Sequence, residues 1–238
     1  MRQFQQRWLS PGASIELIAP AGPFDVAAFE LGVARLSRRY QVRYDTGILA
    51  QRGYLAGDDS RRLLELRAAL ARPETDAILA ARGGYGSTRI LPLLAADEVR
   101  AHPKLLVGFS DVTALHALWA QAGVGSLHGS MVAALGRCPE RQLQRFCAAL
   151  EGELPASFEG LEPVVPGAAE GVLLGGNLAV LTALIGTPHF PPLTDAVLFL
   201  EDIGERPYRV DRMLTTWRSA GAFKGVRGVV LGAFTQSD

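Results

Sequence analysis

Short, nearly continuous apolar runs alternate along this chain with longer stretches whose apolar residues recur at helical spacing. Residues 14–19 (SIELIA) read as a buried strand, stopped by Pro20, Ala21, Gly22 and Pro23. Asp25 reads as the N-cap of a helix reaching Arg39, with Val26, Phe29, Val33 and Leu36 on one face. Residues 41–44 predict a short strand and 47–57 a loop; Asp58 or Asp59 caps a second helix carrying Leu63, Leu66 and Leu70 and ending near Arg72. Residues 77–81 (AILAA) predict another buried strand, followed by RGGYGS. A short helix over 88–94, a strand over 104–107, a helix over 111–121, a short strand near 126–127 and a helix over 139–150 complete the first half.

Strands that are apolar throughout, each followed by a helix, imply a parallel sheet covered on both faces and an α/β fold. From residue 151 to 169 the composition turns to Pro, Gly and Glu, which reads as a linker. The expected organisation is a domain over 1–150, a linker over 151–169 and a smaller unit over 170–238. That second unit opens with residues 171–174 and GGNLAVLTALIGT. It continues with a strand over 196–200 (AVLFL), a helix over 208–220 and a strand over 228–231. Gly232 and Ala233 follow an apolar strand directly, and a buried parallel strand normally has a neighbour and a covering helix. The expectation is that the second unit is incomplete in this chain.

Composition narrows the classes. The chain has 238 residues, 48% of them hydrophobic, with 24 Lys plus Arg balancing 24 Asp plus Glu. A core is affordable, and no basic excess points to nucleic acid. The first twenty residues hold no apolar run long enough for a signal peptide or a membrane span. Cys138 and Cys147 read as buried thiols, although a disulfide stays open, and no spacing suits zinc. The expectation is a soluble cytoplasmic α/β protein.

The candidate chemistry lies in LLVGFSDVTALH, residues 105–116, where a strand gives way to a helix at Ser110. A serine on such a turn lifts its Oγ above the sheet, and the helix behind it offers free N–H groups to an oxyanion. The nucleophile-elbow pattern G-x-S-x-G is only half present, because Val112 stands in place of the second glycine. A plain N-cap is the competing reading of Ser110. Arg82, Gly83, Gly84, Tyr85 and Gly86 follow the preceding strand, at the sheet edge where ligands bind. An ordinary βα turn, or a phosphate loop that lacks the P-loop pattern, competes there. Glu201 and Asp202 close a buried strand, which is costly unless the acids are paired or used. One of them could orient a histidine base. Capping, or pairing with Arg206, Arg209 and Arg212, is the alternative, most plausible for Asp202 and Glu205.

Taken together, VGFSDVTAL, RGGYG, LLGGNLAVL and LFLEDIGERPYRVDRML resemble the L,D-carboxypeptidases of murein recycling, serine peptidases related to the microcin-immunity peptidases. The resemblance runs from about Ile15 to the end of the chain, with the motifs in order. It implies a Rossmann-like N-terminal domain, a smaller β-rich C-terminal domain, and a Ser-Glu-His triad between them. Ser110 matches the serine and Glu201 the glutamate. The N–H of Asp111, with one from Gly83 or Gly84, would hold the oxyanion. Arg82, Tyr85 and Asn177 would contact substrate, with Arg82 alternatively structural. The implied reaction removes the terminal D-alanine of a murein tetrapeptide in the cytoplasm, by a homodimer without metal.

One departure matters. The family's histidine lies in a C-terminal glycine-histidine segment, and this chain offers only His102, His116, His128 and His189. His116 should project away from the serine. His128 is the best-placed substitute, although a structural role in a loop near the site competes. The expectation is a shortened chain of low activity. Three further functions stay open: a muropeptide-binding protein without catalysis, a peptidase of the microcin-immunity type, and a nucleotide-binding domain using RGGYG and APAGPFD, with Asp45 toward a ribose.

Overall fold

The computed structural model describes residues 4–155 and 157–236. The first half comprises β1 (Ser14–Ile18), α1 (Val26–Leu36), β2 (Gln41–Arg43), α2 (Asp59–Ala71), β3 (Ala77–Ala80), α3 (Ser87–Ile90), α4 (Ala96–Ala101), β4 (Leu105–Gly108), α5 (Thr113–Ala122), β5 (Ser126–His128), α6 (Val132–Arg137) and α7 (Glu140–Leu150). The second comprises β6 (Val172–Asn177), α8 (Leu178–Leu184), β7 (Ala196–Ile203), α9 (Pro207–Ser219) and β8 (Gly228–Thr235).

β1 to β5 form one parallel sheet in the order β2-β1-β3-β4-β5. Its strands bury side chains on both faces. Ile18, Ile78, Ala80 and Leu106 pack beneath α2 and α5, while Ile15, Leu17, Ala77, Leu79, Leu105 and Val107 pack beneath α1, α6 and α7. This two-sided burial is why the central strands β3 and β4 are apolar at every position instead of at alternate ones. β6, β7 and β8 form a second parallel sheet, in that order. Leu198 and Leu200 pack there on Leu178, Leu181 and the fully enclosed Trp217, whose indole N–H donates to Thr182 Oγ1 at 2.8 Å.

Helix starts follow the expected capping chemistry. Asp25 and Asp58 accept from the N–H of Ala28 and Arg61, at 2.9 and 2.8 Å. α4 and α6 were not visible as periodic stretches: both are short, and one turn or two carries little period. α6 explains a glycine pair. A Cβ on Gly32 would lie 2.1 Å from the Val132 carbonyl oxygen, and one on Gly136 would lie 2.0 Å from that of Ala28. α1 and α6 therefore cross backbone to backbone, and the buried face of α1 is Ala28, Phe29, Gly32 and Leu36, while Val26 is exposed.

The second sheet is seated on the first through α5. Asn177, at the end of β6, donates its backbone N–H to Thr113 Oγ1 at 3.0 Å. Gly176 has φ +141°, and a Cβ there would lie 2.6 Å from that same hydroxyl. Leu184 of α8 joins the core beneath the first sheet, and Phe190 packs against both cores. Between α7 and β6 the described residues form no helix or strand, and Phe158, Val164 and Val165 are exposed.

Gly32→Ala forces a methyl into a backbone carbonyl and should destabilise the fold by about 1–3 kcal/mol. Urea unfolding reads this as a lower midpoint with an unchanged slope; an unchanged midpoint would mean that the α1–α6 crossing yields freely.

Candidate active site

β4 ends at Gly108, and the chain turns into a single 3₁₀ turn, Ser110–Val112, before α5 begins. Ser110 has φ +60°, the left-handed region that a serine enters only at a cost. Val112, where a second glycine had been sought, fits into the space above Gly108: a Cβ on Gly108 would lie 2.9 Å from both Val112 methyls. The turn is thus held by a valine packed on a glycine, and strain is stored at the residue between them.

The loop after β3 presses onto this turn. A Cβ on Gly83 would lie 3.1 Å from Ser110 Cβ and 3.2 Å from its Oγ. The loop after β1 joins them, with the Gly22 N–H donating to the Gly83 carbonyl at 3.0 Å. These loops follow β1, β3 and β4, at the carboxyl ends of the strands and beside the point where the strand order reverses. Among the described residues, the N–H groups of Gly83 and Gly84 donate to no protein group.

Buried polar side chains fix this loop. Asp111 is 2% exposed, and its carboxylate accepts from the Ser87 N–H at 2.8 Å. Burial pushes its pKa upward, opposed by that N–H. Asp111 had been singled out for its backbone N–H; its side chain proves to tie the serine turn to the glycine loop. Arg62 is fully buried and donates to the carbonyls of Pro20 and Gly86 and to the Asp59 carboxylate. No sequence signal distinguished it from the other arginines on its helix. Arg82 lies on the surface with its guanidinium donating to the Pro23 carbonyl at 2.6 Å. Tyr85 is exposed, its ring 5.9 Å from that of Tyr54.

Glu201 comes from β7 and pairs in register with Asn177 of β6. On its other side the register slips, because Leu200 pairs with Leu231 but Asp202 with Phe234, leaving Gly232 and Ala233 opposite Glu201. Such an extra residue bends a strand locally and re-aims a side chain. The Glu201 side chain is 16% exposed, and its Oε1 is buried without a hydrogen-bond partner. Burial raises its pKa, the Asp202 carboxylate raises it further, and the Asn177 amide opposes both.

Asp202 and Asn177 are spent on structure. Asp202 accepts from Asn177 Nδ2 at 3.0 Å, from the Ala179 N–H at 2.9 Å and from the Ile203 N–H at 2.8 Å. Asn177 Oδ1 caps α8 through the Val180 N–H at 3.0 Å. The capping reading of Asp202 holds, and Glu205 pairs with Arg209 at 3.5 Å. Asn177 is 5% exposed and presents both ends of its amide to the protein.

The histidines separate clearly. His116 donates from Nε2 to the Gly108 carbonyl at 2.9 Å, so its Nδ1 accepts from Ser126 Oγ at 2.8 Å. Burial holds its pKa down at about 4. His128, opposite Gly108 on β5, stands with Nε2 4.0 Å from Glu201 Oε1. Burial lowers its pKa as well, to about 4, although 30% of the side chain still meets water, which tempers the effect relative to enclosed His116. His102 is exposed, and His189 is half-buried in a loop.

Among the described residues no cluster of His, Cys, Asp and Glu could hold a metal ion, and no helix is long and apolar enough to cross a membrane. Cys138 and Cys147 are free thiols.

The LD-carboxypeptidase N-terminal domain family matches residues 15–129, and the LD-carboxypeptidase C-terminal domain family matches residues 170–238. The chain belongs to the LD-carboxypeptidase family. Murein tetrapeptide carboxypeptidase of Pseudomonas aeruginosa is 32% identical to this LD-carboxypeptidase, across 97% of this chain and 79% of the relative. The crystal structure of muramoyltetrapeptide carboxypeptidase from Oxalobacter formigenes superposes with a TM-score of 0.84 at 30% identity, covering 95% of this chain and 78% of that one. The microcin C7 self-immunity protein MccF shares the fold, with a TM-score of 0.85 at 24% identity over 99% of this chain and 81% of its own.

Left-handed backbone at position 110 of this LD-carboxypeptidase predicts an inverted glycine effect. Ser110→Gly should be more stable than Ser110→Ala by about 1 kcal/mol, because alanine keeps the strain and glycine does not. Denaturant unfolding of the two variants decides this, and equal stability, or a more stable alanine variant, would remove the strain.

Proposed function

We propose that this LD-carboxypeptidase is of the serine type and removes the terminal D-alanine of a murein tetrapeptide, as part of cytoplasmic peptidoglycan recycling. The observation that carries the reading is Ser110 itself, a strained serine at a strand end with unpartnered glycine N–H groups against it. Ser110 Oγ attacks the carbonyl that precedes D-alanine. The N–H groups of Asp111 and of Gly83 or Gly84 receive the developing oxyanion. Glu201, on the second sheet, orients through one of its carboxylate oxygens the imidazole that takes the serine proton. Tyr85 and Arg82 line the approach of the peptide. Asn177, which caps α8 and bonds Asp202, also interacts directly with the Glu201 carboxylate and supports it there.

The base is the weak point of this chain. His116 has both ring nitrogens engaged, and His128, with its depressed pKa, is a poor proton acceptor at neutral pH. Neither histidine matches the base that the family resemblance implies, so turnover by these residues alone is slow. Loss of a triad histidine costs on the order of a million-fold in the serine-protease example. The same reading takes residues 1–150 as the nucleophile-bearing domain, 151–169 as its linker and 170–238 as the unit that brings Glu201. The stretch between the two family matches supports this division. A homodimer acting without metal or cofactor completes it.

D-alanine release from a murein tetrapeptide, with and without added imidazole, tests this. Imidazole should raise release at least tenfold in the native chain and leave Ser110→Ala unaffected, with Glu201→Gln rescued less than the native chain. Equal release by Ser110→Ala would end the serine reading. Fast release without imidazole, abolished in His128→Ala, would make His128 the base.

A further inference from the structure

Glu201 has two carboxylate oxygens and, as a triad member, needs one of them for the base. The other is unaccounted for: Oε1 is buried and accepts no hydrogen bond. A carboxylate oxygen in that condition loses its hydration without replacement, which is costly. Among the described residues, Nε2 of His128 lies 4.0 Å from Oε1 on the first sheet, while the Asn177 amide interacts with the same carboxylate from the second.

The surroundings of His128 leave its ring few alternatives. It packs edge-on against Phe199 of β7 at 5.3 Å between centroids, with Phe109 at 6.0 Å and His116 at 6.1 Å. Phe199 precedes Glu201 by two positions on the same strand and so shares its face of the second sheet. The backbone of His128 is fixed beside the serine turn, since His128 pairs in register with Gly108 and the Gly129 N–H donates to the Gly108 carbonyl at 3.0 Å. His116 is held to the same carbonyl and cannot reach Glu201 without surrendering two hydrogen bonds.

We infer that His128 is a positioning residue for Glu201: its Nε2–H donates to Oε1, joins the two sheets at the site and leaves the second carboxylate oxygen for the base. The inference rests on Glu201 being the triad carboxylate. An approach of about 1 Å converts the present contact into a hydrogen bond, a movement within the reach of a glutamate side chain. The bond offsets what burial and Asp202 do to this carboxylate, since a donor to the ionised form favours that form. It also explains why an imidazole stands beside a triad glutamate without serving as the base.

The test is ¹⁵N NMR of the histidine side chains of the intact chain near neutral pH. The His128 ring should carry its proton on Nε2, with a nitrogen signal that moves in Glu201→Ala and stays in place in Ser110→Ala. A His128 signal identical in the native chain and Glu201→Ala, or a proton on Nδ1, overturns the inference. Should Glu201→Ala fail to fold, His128→Phe keeps the ring packing and removes the donor. The ¹³C titration midpoint of the Glu201 carboxyl should then rise, and an unchanged midpoint is equally fatal. Neither spectrum depends on turnover, so failure of the peptidase reading would show in D-alanine release and leave these signals as they are.

Discussion

The site exists because one backbone amide meets one hydroxyl. The Asn177 N–H bonds to Thr113 Oγ1, and Thr113 opens the helix that begins just after Ser110. The neighbouring Gly176 is pressed so closely to that threonine that no side chain would fit. This contact fixes where the second sheet stands over the first. Glu201 is the register partner of Asn177, so its place follows from the same contact. A side chain at position 176 would lift the strand, and the carboxylate with it, away from the serine turn.

Around that contact the molecule spends its buried polar groups on holding loops, not on the core. Asp111 holds the glycine loop by the Ser87 N–H, and Arg62 holds it by the Gly86 carbonyl. Asp202 holds the start of α8 and the amide of Asn177. Each is a buried charge that would be expensive unpaired, and each is paired with backbone groups of the segments it holds. The cost of burying them secures a serine in left-handed backbone and a glutamate with one oxygen left over. Strain and an unsatisfied acceptor persist only where the surroundings over-determine them.

Much of this was legible in the sequence, for physical reasons that differ from element to element. The buried strands were plain because a parallel sheet covered on both faces permits only apolar residues. Ser110 and Glu201 stood out because polar residues at the ends of such strands are conspicuous. α6 was missed because a helix of two turns has no readable period, and with it the reason for Gly32 went unseen. Arg62 was invisible because its partners, the Pro20 and Gly86 carbonyls, come from other loops and carry no side-chain signature. The bonds of Asn177 to Asp202 and to the start of α8 had no sequence signal, because they depend on how β6 and β7 pair. The approach of His128 to Glu201 likewise depends on how two sheets meet, which no local pattern encodes.

The most direct measurement of the central claim is a crystal structure of the Ser110→Ala chain with an intact murein tetrapeptide bound. The account predicts the carbonyl before D-alanine lying over position 110, its oxygen within hydrogen-bond reach of the Asp111 N–H and of Gly83 or Gly84, with Glu201 across the crevice. A tetrapeptide seated away from this turn, or entering with its D-alanine end pointing out of the crevice, would contradict it.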